Sequence, residues 1–489
     1  MKLARWPGST FLDNPRHFIA GDWVAPAGAS TIDVEDPSTG EIMGVIAAGN
    51  EADIDCAVAA AYEAMARQPK WAPSQRQDAL LALAAAIDAN AEELAQIEMR
   101  DAGKPISNAL RVDVPGAAAI LRYFAGWATK LSGETIELSQ SGSGRGFTLR
   151  EPVGVAGQII PWNYPLMGAA FKIGPAIAAG CALVLKPAEQ TSVSALQLAE
   201  LARACGFPPG FINIVTGEGG VAGAALVNHP GVAKVSFTGS TAIGREIAAN
   251  CARQMKRVTV ELGGKSPVIV MPDADLDAAA GAIAMSIFFN TGQTCSAASR
   301  LLVHEKVAGA LLDKIGDIAR SLKIGPTDDP ETQLGPAISR GQRERIMNFV
   351  ESALAEGATA LFGGELCDGP GYYVSPTVLT DVQPNMAAVR EEIFGPVLCA
   401  TPFTTTDLDE IASLGNDSQY GLAAYIWTRD LSVAHGLVDR LRTGTVRINT
   451  CSGDLALPAG GVKSSGFGRE NGRVGVEAYT ELKSVTMAY

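Results

Sequence analysis

Apolar and polar positions follow an alternating strand and helix pattern from about residue 154 onward. Strand-like apolar runs are GVAGQII, CALVLKP, FINIVTG and KVSFTGS, and the helical stretches between them include PLMGAAFKIGPAIAAG and SVSALQLAELARAC. Near-continuous apolar strands separated by helices are typical of a parallel sheet that is covered on both faces. The pattern therefore predicts an α/β fold with a doubly wound sheet.

The preceding part of the chain predicts helices and a hairpin. EADIDCAVAAAYEAMARQ and SQRQDALLALAAAIDANAEELAQIEMRDAG show the helical period, with a stop at Gly103, and we expect them to pack on the sheet. GETIELSQSGSGRGFTLREPVGV contains two β-rich runs joined by a Gly/Ser turn, which predicts a protruding hairpin. Because an isolated hairpin is only marginally stable in water, we expect it to dock on another element, such as a second subunit.

A second α/β series begins after RVTVELGGKSPVIVM. It comprises a helix from about Leu276, the strand RLLVHE, the helix KVAGALLDKIGDIARSL, and the strands PVLCATPF, AAYIWT and GTVRIN. No Gly/Pro-rich linker separates the two series, so the predicted boundary near residue 263 depends on the renewal of the pattern. A chain of 489 residues is also long enough for at least two domains.

Composition and charge exclude several classes of protein. Hydrophobic residues make up 47% and charged residues 19%, which is typical of globular proteins and not of disordered or fibrous ones. Acidic residues outnumber basic ones by 52 to 39, and a net charge of -13 makes nucleic acid a poor partner. The start, MKLARWPGST, lacks the apolar stretch of a signal peptide, and the run IGPAIAAGCALVL is shorter than the roughly 20 residues that span a membrane.

Cysteine and histidine spacing favours neither a disulfide framework nor a metal site. The eight cysteines include no CxxC pair, and the four histidines are far apart with no HExxH spacing. We therefore expect no metal ion, reduced thiols and a cytoplasmic location.

Two segments at predicted strand ends could bind a nucleotide. SFTGSTAIG joins a strand to a helix at Gly239 and Ser240, where backbone amides suit a phosphate, although the spacing is not GxGxxG and an ordinary turn explains it equally well. LKPAEQT places Lys186 and Glu189 at a strand's carboxyl end, where they could hold ribose hydroxyls or could simply be solvated loop charges.

Three further residues are candidates for covalent chemistry. Glu261 in VTVELGGKS could be a general base if burial raises its pKa, or a structural carboxylate. Asn163 in PWNYP could be an oxyanion donor or a turn residue. Cys295 in FFNTGQTCSAASR has small polar neighbours, so a nucleophilic role and an inert buried thiol both remain open at this point.

Taken together, the motifs resemble those of one family. PWNYPL, KPAEQT, FTGSTAIG, VELGGKSP, FFNTGQTC, EEIFGPV and GGVKSSGFGRE follow the order and approximate separations found in the NAD(P)-dependent aldehyde dehydrogenase superfamily. The resemblance extends from FIAGDWV to YTELKSVTM, which is nearly the whole chain. It implies oxidation of an aldehyde to a carboxylic acid, on a Rossmann-like cofactor domain joined to a second α/β catalytic domain.

The resemblance implies a role for each matching residue. Cys295 would attack the aldehyde, Asn163 and the Cys295 backbone N–H would hold the oxyanion, and Glu261 would activate water to hydrolyse the thioester. Lys172 and Glu470 would carry the proton away from Glu261. Cofactor contacts are implied for Ile159, Pro161, Trp162, Lys186, Glu189, Thr238, Gly239, Ser240, Leu262, Glu392 and Phe394.

The family resemblance also implies cofactor preference and domain organisation. Glu189 would repel a 2′-phosphate, which favours NAD over NADP, while Lys186 leaves some NADP use possible. Residues 1–128 and 152–263 would form the NAD-binding domain and 264–463 the catalytic domain. The hairpin at 129–151 and the tail at 476–489 would form a small β element for oligomerisation, giving a homodimer or homotetramer.

One departure from the family pattern concerns the substrate. Relatives that oxidise apolar aldehydes often carry an aromatic residue where this chain has Ala459, while Tyr164, Phe171 and Phe289 remain as candidate pocket walls. The departure implies a bulkier or more polar substrate than short aliphatic aldehydes. Asp454 could meet a cationic or hydroxylated substrate, or could face solvent. A CoA-acylating enzyme, disfavoured by Glu261, and a non-catalytic nucleotide-binding relative are the alternative functions.

Overall fold

A computed structural model describes residues 8–67, 70–139 and 144–488. Its strands are β1 (His17–Ile19), β2 (Asp22–Val24), β3 (Thr31–Asp36), β4 (Glu41–Ala47), β5 (Thr135–Ile136), β6 (Gly144–Pro152), β7 (Ala156–Ile159), β8 (Leu183–Lys186), β9 (Ile212–Ile214), β10 (Lys234–Thr238), β11 (Arg257–Glu261), β12 (Pro267–Val270), β13 (Arg300–His304), β14 (Thr359–Phe362), β15 (Thr377–Thr380), β16 (Val397–Phe403), β17 (Ala423–Trp427), β18 (Thr445–Ile448), β19 (Gly466–Phe467) and β20 (Thr480–Ala488).

The α-helices of these residues lie between and around the strands. They are α1 (Ser9–Asp13), α2 (Glu51–Ala66), α3 (Pro73–Ala89), α4 (Ala91–Ala102), α5 (Ile106–Asn108), α6 (Val114–Ala125), α7 (Pro165–Ala179), α8 (Val193–Ala204), α9 (Ala224–Asn228), α10 (Thr241–Arg253), α11 (Leu276–Phe288), α12 (Glu305–Ser321), α13 (Arg340–Ala355), α14 (Ala387–Arg390), α15 (Leu408–Asn416), α16 (Leu431–Arg440) and α17 (Gly472–Glu477).

The first large sheet has the strand order β19-β11-β10-β7-β8-β9-β1-β2. Its central strands β11, β10, β7, β8 and β9 run parallel, and antiparallel strands close both edges. Every residue of β7 and β8 is buried, as expected for a sheet with helices on both faces. The doubly wound α/β arrangement predicted from the hydrophobic pattern is therefore confirmed.

The N-terminal helices pack on this sheet as predicted, with one difference. α2 contacts β8 and β9, and α3 contacts α6 and α7. The long helical stretch from Ser74 to Gly103 is two helices, because α3 ends at Ala89 and α4 begins at Ala91, with Asn90 as the cap between them. Gly103 ends α4 in the left-handed conformation at φ 68°, which a residue without a Cβ adopts at little cost.

The second large sheet contains the later α/β series, in the order β14-β15-β16-β13-β12-β17-β18. All neighbouring strands are parallel except β14 and β15. β11 ends at Glu261 in the first sheet and β12 begins at Pro267 in the second, so five residues connect the two sheets. The renewal of the sequence pattern near residue 263 thus marks a change of sheet.

The predicted hairpin docks within its own chain. β5 and β6 pair antiparallel, and β20 pairs with β6 along its whole length to give a three-stranded sheet. The predicted Gly/Ser turn at 140–143 lies outside the described residues. The expected tail strand is shorter than the segment 476–489, because α17 continues to Glu477 and β20 begins at Thr480.

Within the described residues, every helix is too short or too polar to cross a lipid bilayer.

Candidate active site

A cavity of about 470 Å³ lies where β7, β10 and β11 end, at the carboxyl edge of the first sheet. This edge is the usual ligand crevice of a doubly wound sheet. The cavity brings together the candidate catalytic residues Asn163, Glu261 and Cys295, although they are far apart in the sequence. It also contains eight of the predicted cofactor residues, namely Pro161, Trp162, Thr238, Gly239, Ser240, Leu262, Glu392 and Phe394.

The two glycines after Glu261 are required by close contacts. A Cβ at position 263 would lie 2.1 Å from Oε2 of Glu392, and a Cβ at position 264 would lie 2.6 Å from the carbonyl oxygen of Cys295. The Gly264 backbone N–H donates a 3.0 Å hydrogen bond to Oε1 of Glu392. The Gly-Gly pair thus lets the connection between the sheets touch both Glu392 and the thiol loop.

The loop before Cys295 has an uncommon backbone conformation. Asn290, Thr291 and Gly292 all have positive φ, between 52° and 68°, which costs free energy at the two residues that carry a Cβ. Tertiary hydrogen bonds hold it: Thr291 donates to the Gly335 carbonyl at 2.9 Å, and Ile338 N–H donates to the Gln293 side chain at 2.9 Å. The residues Asn-Thr-Gly-Gln are therefore a rigid support for the thiol.

Asn163 is bound to the same loop. Its side-chain amide donates a 2.8 Å hydrogen bond to the carbonyl oxygen of Gln293, and its own carbonyl oxygen accepts from the Asn290 amide at 3.1 Å. Asn163 immediately precedes the N-terminal end of α7, where Tyr164 is the capping position. These bonds fix the Asn163 amide beside the loop that carries Cys295.

Cys295 is a partly exposed thiol in a low-dielectric site. Burial, together with the nearby Glu392 and Glu261 carboxylates, raises the pKa of the Cys295 thiol to about 12. The isolated protein therefore holds this group as a thiol at neutral pH, and attack on a carbonyl requires that the thiolate be stabilised as the bond forms.

Glu261 is the last residue of β11 and is mostly enclosed. Burial raises the pKa of its carboxyl group well above the ordinary value, Glu470 raises it further, and Lys172 lowers it. Oε1 of Glu261 is buried without a hydrogen-bond partner among the described residues, and a Cβ at position 460 would lie only 2.5 Å from it. Burial thus raises the pKa of Glu261, which is the shift that makes a carboxylate a stronger base.

Lys172 and Glu470 form a pair behind Glu261. Lys172, at 1% exposure, donates to Glu470 and also to Ser236 and Thr238 at 2.9 Å each. Neither residue lines the cavity, but both affect the pKa of Glu261. The backbone of Glu470 pairs with Ala459, next to the glycine that contacts Glu261. The arrangement suits proton movement away from Glu261.

The strand-to-helix turn at Ser240 has the predicted form. β10 ends at Thr238, and Ser240 caps the 13-residue helix α10 by accepting from the Ile243 N–H. The first turn of such a helix presents unpaired backbone N–H groups, which suit a pyrophosphate. Thr241 and Ala242 at this helix start also line the cavity.

Three predicted cofactor residues lie outside the cavity lining. Ile159 is the last residue of β7, and Lys186 is the last residue of the neighbouring strand β8. Lys186 is 2% exposed and its Nζ donates to Glu189 Oε2 at 3.0 Å, while the Glu189 side chain is 32% exposed. All three are at the same sheet edge, and Lys186 and Glu189 are one strand further from the thiol.

A second cavity of about 570 Å³ begins at the neighbours of Cys295 in sequence, Thr294 and Ser296. The predicted pocket residues Tyr164 and Phe289 line it, and the Tyr164 hydroxyl lies 2.8 Å from Thr294 Oγ1. Phe171 packs against the core of the first sheet, and neither it nor Ala459 lines this cavity. Asp454 is exposed and accepts from the Ala456 N–H at 2.7 Å, so it faces solvent.

Several lining residues were not predicted from the sequence. Gln342, Arg345 and Tyr420 belong to the first cavity, and Met285, Tyr425 and Arg447 to the second. They come from distant helices and strands of the second sheet, and no local motif marks them. Arg447 alone carries a signal, a cation within the apolar strand GTVRIN.

Among the described residues no group of three or more His, Cys, Asp or Glu side chains could hold a metal ion. The eight cysteines are all free.

Comparison with known proteins agrees with this geometry. The profile of the aldehyde dehydrogenase family matches residues 23–485. A putative aldehyde dehydrogenase of Bacillus subtilis is 45% identical, covering 97% of this chain and 96% of that protein. A phenylacetaldehyde dehydrogenase of Pseudomonas fluorescens is 43% identical, covering 96% and 95%. The NAD⁺ complex of an aldehyde dehydrogenase from Bacillus cereus superposes with a TM-score of 0.94 at 44% identity, covering 98% and 97%.

The chain therefore belongs to the aldehyde dehydrogenase family. It is an oxidoreductase that converts aldehydes to carboxylic acids with NAD as the cofactor.

Proposed function

We propose that Cys295 is the nucleophile of this reaction. The supporting observation is the meeting of Cys295, Asn163 and Glu261 in one cavity, because this set supplies a thiol, an amide donor and a base. The Cys295 thiol gives its proton to water in the open cavity as its sulfur bonds to the aldehyde carbon, and the carbonyl oxygen becomes an oxyanion in a thiohemiacetal. The Asn163 amide and the Cys295 backbone N–H donate to that oxygen, and their fixed positions stabilise the charge as it develops.

Glu261 completes the reaction as a general base. Loss of hydride from the thiohemiacetal carbon leaves a thioester on Cys295. Glu261 takes a proton from water, whose oxygen attacks the thioester carbon, and the carboxylic acid leaves as the sulfur is released. The Glu470 carboxylate, held in place by the Lys172 cation, helps to carry the proton away from Glu261. Glu261 also disfavours the CoA-acylating alternative, which needs no water activation.

We assign the first cavity to NAD, which when bound supplies the hydride acceptor. The capped start of α10 suits the pyrophosphate, and Glu392 with Phe394 would hold the nicotinamide ribose. Lys186 and Glu189 would hold the adenine ribose, with Ile159 beside them at the end of β7. The Glu189 carboxylate repels a 2′-phosphate and accepts hydrogen bonds from a ribose diol, which supports NAD over NADP.

We also propose three structural units and an oligomer. Residues 1–128 and 152–263 would form the NAD-binding domain and 264–463 the catalytic domain, in agreement with membership of the two large sheets.

The β5-β6-β20 sheet would join subunits into a homodimer or homotetramer, since Ile136, Leu149, Leu482 and Met487 expose apolar side chains there. Analytical ultracentrifugation of the protein and of a Leu482→Lys variant tests this. A monomer for the unmodified protein would contradict it.

Substrate and location complete the proposal. The volume of the second cavity, about 570 Å³, favours an aldehyde that is bulkier or more polar than short aliphatic ones. The departure at Ala459 adds no support, because Ala459 lies outside that cavity. The names of two relatives fit this size, since one is a phenylacetaldehyde dehydrogenase and another a betaine aldehyde dehydrogenase. The scattered free cysteines support a cytoplasmic location.

The decisive experiment is a steady-state panel of aldehydes with NAD, comparing the protein with Cys295→Ser. Aldehyde-dependent NADH formation should fall to background in the variant, because serine is a far weaker nucleophile without an activating base. Cys205→Ser, which changes a half-buried thiol away from the site, is the matched control and should keep full activity. Unchanged turnover in Cys295→Ser would contradict the assignment, and strict dependence on CoA would favour the acylating alternative.

A further inference from the structure

The second cavity contains one charged side chain. Of the fifteen residues that line it, Arg447 is the single Asp, Glu, Lys or Arg, and the others are uncharged. Arg447 lies on β18, a strand whose other residues are apolar or Thr. A cation in this position is not required for the strand, because a hydrophobic residue would satisfy the same pattern.

The guanidinium of Arg447 is only partly satisfied by the protein. Nη1 donates to the carbonyl oxygen of Cys451, and the guanidinium carbon lies 5.6 Å from the ring centroid of Tyr425. Nε is buried with no hydrogen-bond partner among the described residues. Nη2 has no hydrogen-bond partner among the described residues either, and unlike Nε it is not buried, so an acceptor on a ligand can bind it.

Arg447 also lacks a carboxylate partner. Within the ranges that the structure describes, no Asp or Glu oxygen lies within ion-pair distance of it. Asp454, the acid nearest in sequence, is exposed and engaged with the Ala456 N–H. Unpaired arginines in partly enclosed cavities are positioned for planar anions, because the guanidinium matches a carboxylate in two parallel hydrogen bonds.

One tyrosine connects Arg447 to the thiol loop. The Tyr425 hydroxyl donates to the Ser296 carbonyl oxygen at 2.6 Å, and Ser296 follows Cys295 directly. The ring of the same tyrosine lies beneath the Arg447 guanidinium. Tyr425 therefore contacts both the cation and the backbone of the nucleophile loop.

We infer that Arg447 binds the carboxylate of an aldehyde substrate whose other end reacts at Cys295. The substrates of this enzyme are then aldehydes that carry a carboxylate several atoms away from the carbonyl group, and the products are dicarboxylic acids. The inference depends on the proposed role of Cys295, since Arg447 is a specificity residue for that same site. It refines the bulkier or more polar substrate proposed from the volume of the second cavity.

The alternative role of Arg447 is structural. Its bond to the Cys451 carbonyl oxygen holds the loop after β18, and a Cβ at position 453 would lie 2.8 Å from Nη2. If Arg447 only holds this loop, its substitution should lower kcat/KM for all aldehydes alike. If Arg447 is a specificity residue, its substitution should lower kcat/KM only for aldehydes that carry a carboxylate. Substrates paired as acid and ester therefore separate the two roles.

The test compares ω-carboxy aldehydes of four to eight carbons with their methyl esters, using the full-length enzyme with saturating NAD. For the unmodified enzyme we expect kcat/KM to be higher for the acid than for the ester. In Arg447→Met the value for the acid should fall about 10- to 100-fold, as for loss of a charge-assisted hydrogen bond, mainly through KM. The value for the ester should stay within about threefold, and Arg447→Lys should restore part of the preference.

Arg429→Met is the matched control for long-range charge. Arg429 also lies at the carboxyl edge of the second sheet, two residues beyond the lining residue Trp427, but its side chain is 71% exposed. The Arg429→Met substitution should leave the ratio of kcat/KM for the acid to kcat/KM for the ester unchanged. An equal loss for acid and ester in Arg447→Met, or no preference in the unmodified enzyme, overturns the inference. If neither aldehyde gives NADH while other aldehydes do, the inference also fails, whereas absence of NADH formation with every aldehyde of the panel would contradict the proposed role of Cys295.

Discussion

The Asn163 side-chain amide donates a 2.8 Å hydrogen bond to the carbonyl oxygen of Gln293, two residues before Cys295. An amide has two N–H groups, and this bond occupies one of them. The second is available to an oxygen at the thiol, and the bonded loop prevents the amide from rotating away. The same contact that stabilises the strained loop therefore orients the proposed oxyanion donor.

Asn163→Ala should reduce kcat by about 10²- to 10³-fold, because one preorganised donor to the oxyanion is lost. The KM for NAD should change little. The Asn290 amide still donates to the Gln293 carbonyl at 3.2 Å, so the loop retains one of its supports. Steady-state kinetics with thermal unfolding as the folding control measure this. A kcat within a fewfold of the unmodified value would remove Asn163 from the mechanism.

Glu261→Gln should separate the two halves of the reaction. Attack by Cys295 and hydride loss do not require the base, so a burst of about one NADH per active site should persist in stopped-flow measurements. The following steady rate should fall by about 10²- to 10⁴-fold, the usual contribution of a general base. Hydroxylamine, which attacks thioesters directly, should restore turnover. Loss of the burst would instead place Glu261 in the first half-reaction.

Lys172→Gln should move the pH dependence of thioester hydrolysis. The Lys172 cation lowers the raised pKa of Glu261, so its removal raises that pKa further. The base form of Glu261 then appears at higher pH, and the rising limb of kcat should shift to the alkaline side. Lys172→Arg keeps the charge and should shift it less. A shift towards acid pH would contradict the electrostatic coupling.

Lys172→Gln should also lower the free energy of unfolding. The substitution leaves the Glu470 carboxylate without its cation, and breaking a buried pair costs about 3–5 kcal/mol. Glu470 is 21% exposed, so solvent screening should reduce the loss below that range. Urea unfolding of both variants measures it, and Lys172→Arg should lose less than Lys172→Gln.

Glu189→Gln should relax the preference for NAD. The substitution removes one negative charge from the sheet edge next to Lys186, whose Nζ is 3.0 Å from Glu189 Oε2. The KM for NADP should fall about tenfold, because the substitution removes the repulsion between the Glu189 carboxylate and the 2′-phosphate. This repulsion is the interaction energy of one pair of like charges at moderate dielectric. Steady-state kinetics with both cofactors measure the ratio of kcat/KM for NAD to kcat/KM for NADP. If this ratio is unchanged in Glu189→Gln, Glu189 is not part of the ribose site.

The sequence by itself determined the architecture of this protein and its family. Buried parallel strands need continuous apolar runs, and helices need a 3.6-residue period, so both sheets and most helices were predictable from local pattern. Local capping signals also placed the turn at Ser240 and the end of α4 at Gly103. Asn163, Glu261 and Cys295 were predictable as candidates because each stands at a strand end or in a rigid loop.

Tertiary structure alone decided what those residues face. The Gly263 and Gly264 pair is explained by Glu392 and Cys295, which approach from distant segments. The lining residues Arg345, Tyr420 and Tyr425 carry no local signal, because packing between the sheets places them. Ala459 lies at the Glu470 bridge and not in the second cavity, while Arg447 does line that cavity. Local pattern reflects burial along one segment, whereas a cavity is formed by segments that meet only after the chain has folded.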